Sequence, residues 1–178
     1  MKLTGGFHRG RAVVTSSSSR IRPTSGKVRE AIFNMLGPIE NFCFLDLFAG
    51  SGSVGFEALS RGASKAYFID HEVSLLKKNA HLFSREQCII IRGSLPQALA
   101  RIRPPCNVIY LDPPFSQTRV LNETLTVLRA QRHLFLDSTI VVVQKNIYDK
   151  GFESRGFVVF KQKKYGDSEI LFLTKEED

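Results

Sequence analysis

The chain has no tryptophan, only two methionines, and three cysteines in 178 residues; Cys43, Cys88 and Cys106 form no C-x-x-C pair. This spacing argues against a disulfide scaffold or a thiolate metal site and for isolated thiols, two of them inside apolar runs. The four histidines, His8, His71, His81 and His133, lack H-x-x-x-H or Cys/His spacing, so no metal is expected. No apolar run approaches the roughly 18 residues needed to span a bilayer, and residues 1–6 lack the apolar stretch of a signal peptide. A cytoplasmic protein without membrane contact is the expectation. A G-x-S-x-G elbow and a P-loop lysine are also missing, which disfavours hydrolase and nucleoside-triphosphatase chemistry. There is no internal repeat, and no long heptad pattern suggests obligate assembly, so a monomer is expected.

What is present is 43% hydrophobic content, enough for one well-formed core, and a net charge of +8 that is unevenly spread. Residues 1–30 carry Lys2, Arg9, Arg11, Arg20, Arg22, Lys27 and Arg29 against Glu30 alone. A basic segment of this kind, with Ser16–Ser19 as a polar stretch inside it, suits a polyphosphate partner. The turn-rich Thr4-Gly5-Gly6 and Arg22-Pro23-Thr24 suggest an ordered arm. Ser25 is placed to cap a helix in which Val28, Ala31, Ile32 and Met35 recur before Gly37-Pro38 stops it. These features divide the chain into a basic arm and helix, 1–40, and a body, 41–178.

Along the body, short apolar runs alternate with helical patterns. Strands are expected at 42–48, 66–70, 87–91, 107–111 and 138–143, with helices from about 53, at 72–83, near 95–101 and at 118–132. Such alternation specifies an α/β fold with an open, mostly parallel sheet covered on both faces. Phe157–Phe160 and Ile170–Leu173, joined through Gly166-Asp167, add a terminal antiparallel hairpin.

Two motifs carry chemistry. The first strand runs into Asp46-Leu47-Phe48-Ala49-Gly50-Ser51-Gly52-Ser53-Val54-Gly55, a glycine-rich turn into a helix that admits a cofactor close to the backbone, and Asp70 ends the next strand where an acid can take ribose hydroxyls. A nicotinamide dinucleotide and S-adenosylmethionine would both accept this arrangement. Asp46 favours the second: an acid inside the strand repels a pyrophosphate but suits an ammonium, and its alternative role is to accept from nearby backbone amides. The second motif is Asp112-Pro113-Pro114-Phe115, which ends the strand at 107–111. Two prolines stop the ladder and stiffen the chain, leaving a carboxylate beside an aromatic ring. Such a pair suits a flat hydrogen-bonding substrate such as a nucleobase, with Asp112 accepting from an exocyclic amine and Phe115 covering the ring. In an open parallel sheet both motifs fall at the carboxyl edge, where ligands bind.

Taken together these residues resemble a class I S-adenosylmethionine-dependent methyltransferase of Rossmann-like fold, and more narrowly the RsmD family that methylates guanine N2 in 16S ribosomal RNA. The resemblance spans nearly the full length and rests on Thr4-Gly5-Gly6, Arg9-Gly10-Arg11, Arg22–Ser25, Val28–Asn34, Asp46–Gly52, Leu59–Ala63, Asp112–Phe115 and Lys164-Tyr165-Gly166. It implies that Asp46, Phe48, Ala49, Gly50, Ser51 and Gly52 hold the methionine part of the cofactor. Asp70, with His71 beside it, would take the ribose, and Gly93 with Ser94 the adenine. Asp112, Pro113, Pro114 and Phe115 would hold and face the guanine, while Arg9, Arg11, Arg22, Thr24, Lys27 and Arg29 would bind RNA. It further implies S-adenosylhomocysteine as product and a small ribosomal subunit or assembly intermediate as partner. Two positions depart from the family pattern: Gly26-Lys27 replaces an Asp-Arg pair, and Gly93-Ser94 an acid or amide followed by alanine. Competing readings are a DNA amino-methyltransferase, a protein glutamine methyltransferase, a nicotinamide-dependent dehydrogenase, and a catalytically silent RNA- or cofactor-binding module.

Overall fold

The computed structural model describes residues 1–15, 24–114 and 117–176. The expectations at Ser16–Ser19, Arg20, Arg22-Pro23 and Phe115 lie outside the described residues.

Seven strands form one sheet in the order β3-β2-β1-β4-β5-β7-β6. The parallel part comprises β1 (Cys43–Leu47), β2 (Lys65–Asp70), β3 (Cys88–Arg92), β4 (Cys106–Leu111) and β5 (Phe135–Asn146). β7 (Ser168–Lys175) runs antiparallel to β5, and β6 (Phe157–Tyr165) closes the hairpin at the sheet edge. The alternation in sequence therefore gives the expected Rossmann-like sheet. The principal difference is β5, which runs to twelve residues because β7 pairs with its second half, Val141–Asn146, and Phe135 at its start pairs with Cys106 of β4.

Helix α1 (Gly26–Leu36) starts where expected, with the Ser25 hydroxyl accepting from the Val28 amide at 3.3 Å. α2 (Ser53–Ser60) follows the glycine loop, and α4 (Thr118–Ala130) precedes β5. The helix expected at 72–83 is shorter: α3 spans Ser74–Asn79, and a 3₁₀ turn at Ala80–Leu82 completes it. The segment near 95–101 is likewise a 3₁₀ turn, Gln97–Arg101.

Strand periodicity sorts the core into two layers. Phe44, Phe68, Val108, Tyr110, Val142, Ile170 and Phe172 point to the face covered by α1, α2 and α3. Leu45, Leu47, Ile69, Ile109, Leu111, Val141, Val143 and Leu171 point to the face covered by α4 and the 3₁₀ turn at 97–101. The three cysteines are free thiols, with Cys43 Sγ and Cys106 Sγ 3.5 Å apart across β1 and β4.

The N-terminal arm packs on the α1/α2 face. Lys2 bridges Ala12, and Leu3 and Val13 are buried in the same apolar cluster as the sheet. Its anchor is Glu57, fully buried within α2, whose carboxylate accepts from the Thr4 and Gly5 amides at 2.9 and 2.8 Å and from the Thr4 hydroxyl at 2.7 Å. Arg29 Nε and Arg61 Nε complete the cage at 3.0 and 2.9 Å. Gly6 must be glycine, since its φ is +74° and a Cβ there would overlap the Ser60 carbonyl. Arg29 is therefore a correction to the expected RNA contacts. It is 1% exposed and spends its guanidinium on Glu57, the Lys2 carbonyl at 2.7 Å and the Thr24 carbonyl at 3.3 Å. A cation so enclosed joins the arm to the body and lies out of reach of a phosphate at the surface.

Candidate active site

Because β1, β2 and β4 are parallel neighbours, their carboxyl ends meet at one edge of the sheet. A cleft of about 860 Å³ opens there, bordered by the loops after these strands, by Thr24, Ser25 and Val28 at the start of α1, and by Tyr165–Ser168 at the hairpin turn. Among the expected residues, Phe48, Ala49, Gly50, Ser51, Asp70, His71, Gly93, Ser94, Asp112, Pro113, Pro114 and Thr24 line it.

The glycine loop is built by short-range hydrogen bonds. Ala49 donates to the Ile69 carbonyl at 3.0 Å, and Gly50 donates to Asp70 Oδ2 at 2.7 Å, which draws the loop after β1 onto the end of β2. Asp70 Oδ1 accepts from the Glu72 amide at 2.9 Å and stands 3.0 Å from His71 Nδ1. Phe48 adopts φ +62°, a left-handed conformation that is strained for a bulky residue and is held by its neighbours at the cleft wall. A Cβ at Gly50 would meet nothing within 4 Å, so the backbone there faces open cleft. A Cβ at Gly55 would run into Phe68 at 2.4 Å, so this glycine lets α2 sit tightly on β2.

Asp46 and Gly52 do not line the cleft. Asp46 is 2% exposed, points to the α2 face, and accepts from the Gly55 amide at 2.9 Å. Burial, with repulsion from Asp112 and Asp70, raises its carboxyl to about 8 despite that amide. In this structure its Oδ2 takes the amide-accepting role that the sequence offered as the alternative. Gly52 begins α2 in the left-handed region, packed against Phe56 and Leu76.

Asp112 follows Tyr110 by two residues, so both point to the α1 face. Its Oδ2 accepts from the Thr24 hydroxyl at 3.1 Å and lies 3.2 Å from the Tyr110 hydroxyl. That phenol is buried and also lies 2.9 Å from Gln144 Oε1 on β5, so its one proton has two acceptors. Burial lifts the Asp112 carboxyl to about 7, opposed by the hydrogen bonds from Thr24 and Tyr110. Burial and the neighbouring Asp112 hold the Tyr110 phenol protonated. Both groups approach the same oxygen, and among the described residues Oδ1 has no hydrogen bond. Thr24, expected among the RNA contacts, is 7% exposed and turned inward to Asp112. Arg9, Arg11 and Lys27 are exposed.

Sequence reasoning missed Tyr110, Gln144 and Glu57. Tyr110 carried a signal, since strand period two puts it on the face of Asp112. Glu57 carried one as an acid in the apolar run of α2. Gln144 carried none, because its role depends on β5 lying beside β4. Among the described residues, no group of three or more His, Cys, Asp or Glu side chains could hold a metal, and no helix is long and apolar enough to cross a membrane.

A family model described as conserved hypothetical protein 95 matches residues 1–174. Ribosomal RNA small subunit methyltransferase D of Escherichia coli K12 is 34% identical over 152 residues, covering 83% of this chain and 75% of the relative. The protein of the same name from Haemophilus influenzae is 41% identical over 123 residues, 65% of this chain and 64% of its own. The chain belongs to the RsmD family. It shares the methyltransferase activity for which these relatives are named. The Escherichia coli protein yhhF, whose name assigns it provisionally as a methyltransferase, superposes with a TM-score of 0.82 at 28% identity over 99% of both chains. The ribosomal protein L11 methylase of Lactobacillus delbrueckii, at 13% identity, has a TM-score of 0.72 over 96% of this chain and 89% of its own, which extends the fold likeness to a distant methylase.

Proposed function

We propose that the chain transfers the methyl group of S-adenosylmethionine to the exocyclic N2 amine of a guanine in 16S ribosomal RNA, acting in the cytoplasm as a monomer on a small subunit or its assembly intermediate. The observation that carries this reading is Asp112 at the cleft, with its Oδ2 approached by the Thr24 and Tyr110 hydroxyls and, among the described residues, no hydrogen bond to its Oδ1, followed directly by Pro113 and Pro114 in the same wall. The substrate class is that of the named relatives.

The lining residues fit the cofactor. Gly50 offers a bare backbone, Asp70 a carboxylate at the end of β2 for ribose hydroxyls, and Gly93 and Ser94 the wall for the adenine, while Phe48, Ala49 and Ser51 border the methionine end. When bound, S-adenosylmethionine supplies an electrophilic methyl on a positively charged sulfur and leaves as S-adenosylhomocysteine.

The chain's part is alignment. An aryl amine is a poor nucleophile because its lone pair is delocalised into the ring. Acceptance of its two N–H bonds by Asp112 Oδ1 and the Pro113 carbonyl turns that lone pair out of conjugation and toward the methyl donor. As the N–C bond forms, one N–H proton must leave. A carboxyl raised to about 7 by burial is matched to accept it near neutral pH. Thr24 and Tyr110 fix the rotamer of Asp112, and Phe115 is assigned to cover the base. The exposed Arg9, Arg11 and Lys27 supply phosphate contacts, with Arg22 assigned the same role.

The test is transfer of labelled methyl from S-adenosylmethionine to small ribosomal subunits lacking their native methylation, comparing wild type with Asp112→Ala. The expected result is label in N2-methylguanosine, reduced about 10²-fold or more in the variant with cofactor binding retained. Label in another nucleoside, or unchanged turnover in the variant, refutes the assignment.

A further inference from the structure

The edge strand β6 carries a charge pattern that the cofactor and base sites leave unexplained. In the β6/β7 register Lys161 is opposite Phe172 and Lys163 is opposite Ile170. Phe172 and Ile170 belong to the α1 face, so Lys161 and Lys163 stand on that face, about 6.8 Å apart along the strand. Tyr165, two residues further, continues the row, packs against the same apolar cluster and reaches the cleft wall. Both lysines are exposed, and Lys161 Nζ lies 5.9 Å from the Phe172 ring centre. The carboxylate nearest in register, Glu169, stands opposite Lys164 on the other face and is held by Lys145 at 2.9 Å. Among the described residues neither lysine is in an ion pair, so the row presents positive charge leading along an exposed edge to the cleft, on the face that also carries the N-terminal arm.

We propose that Lys161, Lys163 and Tyr165 form a second nucleic-acid track, taking backbone phosphates of the single-stranded RNA that flanks the target base, opposite the contacts of the arm. This rests on the RNA-methyltransferase reading and adds a surface to it. The two lysines contact phosphates, and Tyr165 offers an aromatic face where the strand turns into the cleft. Two holds on either side of the cleft would keep the target nucleotide extruded between them.

The experiment is equilibrium binding of a guanine-containing single-stranded RNA to the full chain across a salt series, for wild type, the double variant Lys161→Gln/Lys163→Gln, and Lys164→Gln. The double variant is expected to lower the slope of log K against log salt by about 1.4, at about 0.7 per phosphate released, with thermal unfolding and S-adenosylmethionine binding unchanged. In methyl transfer it raises KM and leaves kcat unaltered. Lys164→Gln removes one charge from the opposite face and should leave the slope in place. An unaltered slope in the double variant, or a loss from Lys164→Gln as large per lysine, overturns the track. RNA that binds with the expected slopes, while small subunits lacking their native methylation take no label, sustains the track and refutes the proposed reaction.

Discussion

At the residue scale the group on which the proposed reaction turns is Asp112, and the interest lies in what sets its state. Burial pushes its carboxyl up to about 7, and Thr24 is the first of the two donors that pull it back. The ionised form is the one that accepts from an amine. Activity should therefore rise with pH through about 7 and be lost below it, an apparent pKa visible in kcat/KM. Removing the Thr24 hydroxyl withdraws stabilisation from the carboxylate, so Thr24→Val should move that rising limb to higher pH and lower the rate at pH 7 by several-fold while approaching wild type at pH 9. A variant that slows transfer equally at every pH would show that Thr24 only fills space. The motif Asp112-Pro113-Pro114 was legible in sequence because prolines leave few backbone options. Its partners were less so. Thr24 lies 88 positions away, and only the fold brings its hydroxyl to Asp112.

At the scale of elements, the parallel strands and α1 were legible because apolar period and capping agree. Ser25, the spaced Val28 and Ile32, and the Gly37 stop each specify the same helix. The arm was harder to read. Its arginines suggest ligand contacts, but a buried cation and an exposed one look identical in a string of letters, and Arg29 proves to be half of a buried ion pair. Glu57 is the keystone of this element. Burial alone would raise its carboxyl, but the Thr4 amide and hydroxyl with Arg61 and Arg29 hold it below the usual range. Glu57→Gln would leave the buried Arg29 without its counter-charge, at an expected loss of about 3–5 kcal/mol in denaturant unfolding. The Thr4 and Gly5 amides, which donate to that carboxylate, should lose hydrogen-exchange protection before the sheet does. Unfolding with protection lost uniformly would mean that the arm does not open as a unit.

At the scale of the whole molecule, a chain of net charge +8 gathers three carboxylates, Asp46, Asp70 and Asp112, at the ends of three adjacent strands. Burial at this edge, joined at Asp46 by repulsion from the other two, keeps two of the three from ionising readily: Asp112 is raised to about 7 and Asp46 to about 8. The arrangement opposes folding at neutral pH. Asp46 titrates near 3.8 when unfolded and near 8 when folded, so its contribution to stability is fully present below about 3.8 and is lost as pH rises through 8. Between pH 4 and 7 that loss is of the order of 4 kcal/mol, at 1.36 kcal/mol for each unit of pKa difference. Asn at this position keeps an oxygen for the Gly55 amide and cannot ionise. Asp46→Asn should therefore match wild type in thermal stability near pH 4 and exceed it increasingly toward pH 8, with a difference in Tm of the order of 10 °C. Comparing the two proteins at each pH cancels the opposite trend from Glu57, whose depressed carboxyl makes its contribution fade as pH falls. A difference in Tm that stays constant from pH 4 to 8 would show that Asp46 is already ionised in the folded protein, and that its charge is balanced at the strand ends rather than tolerated there.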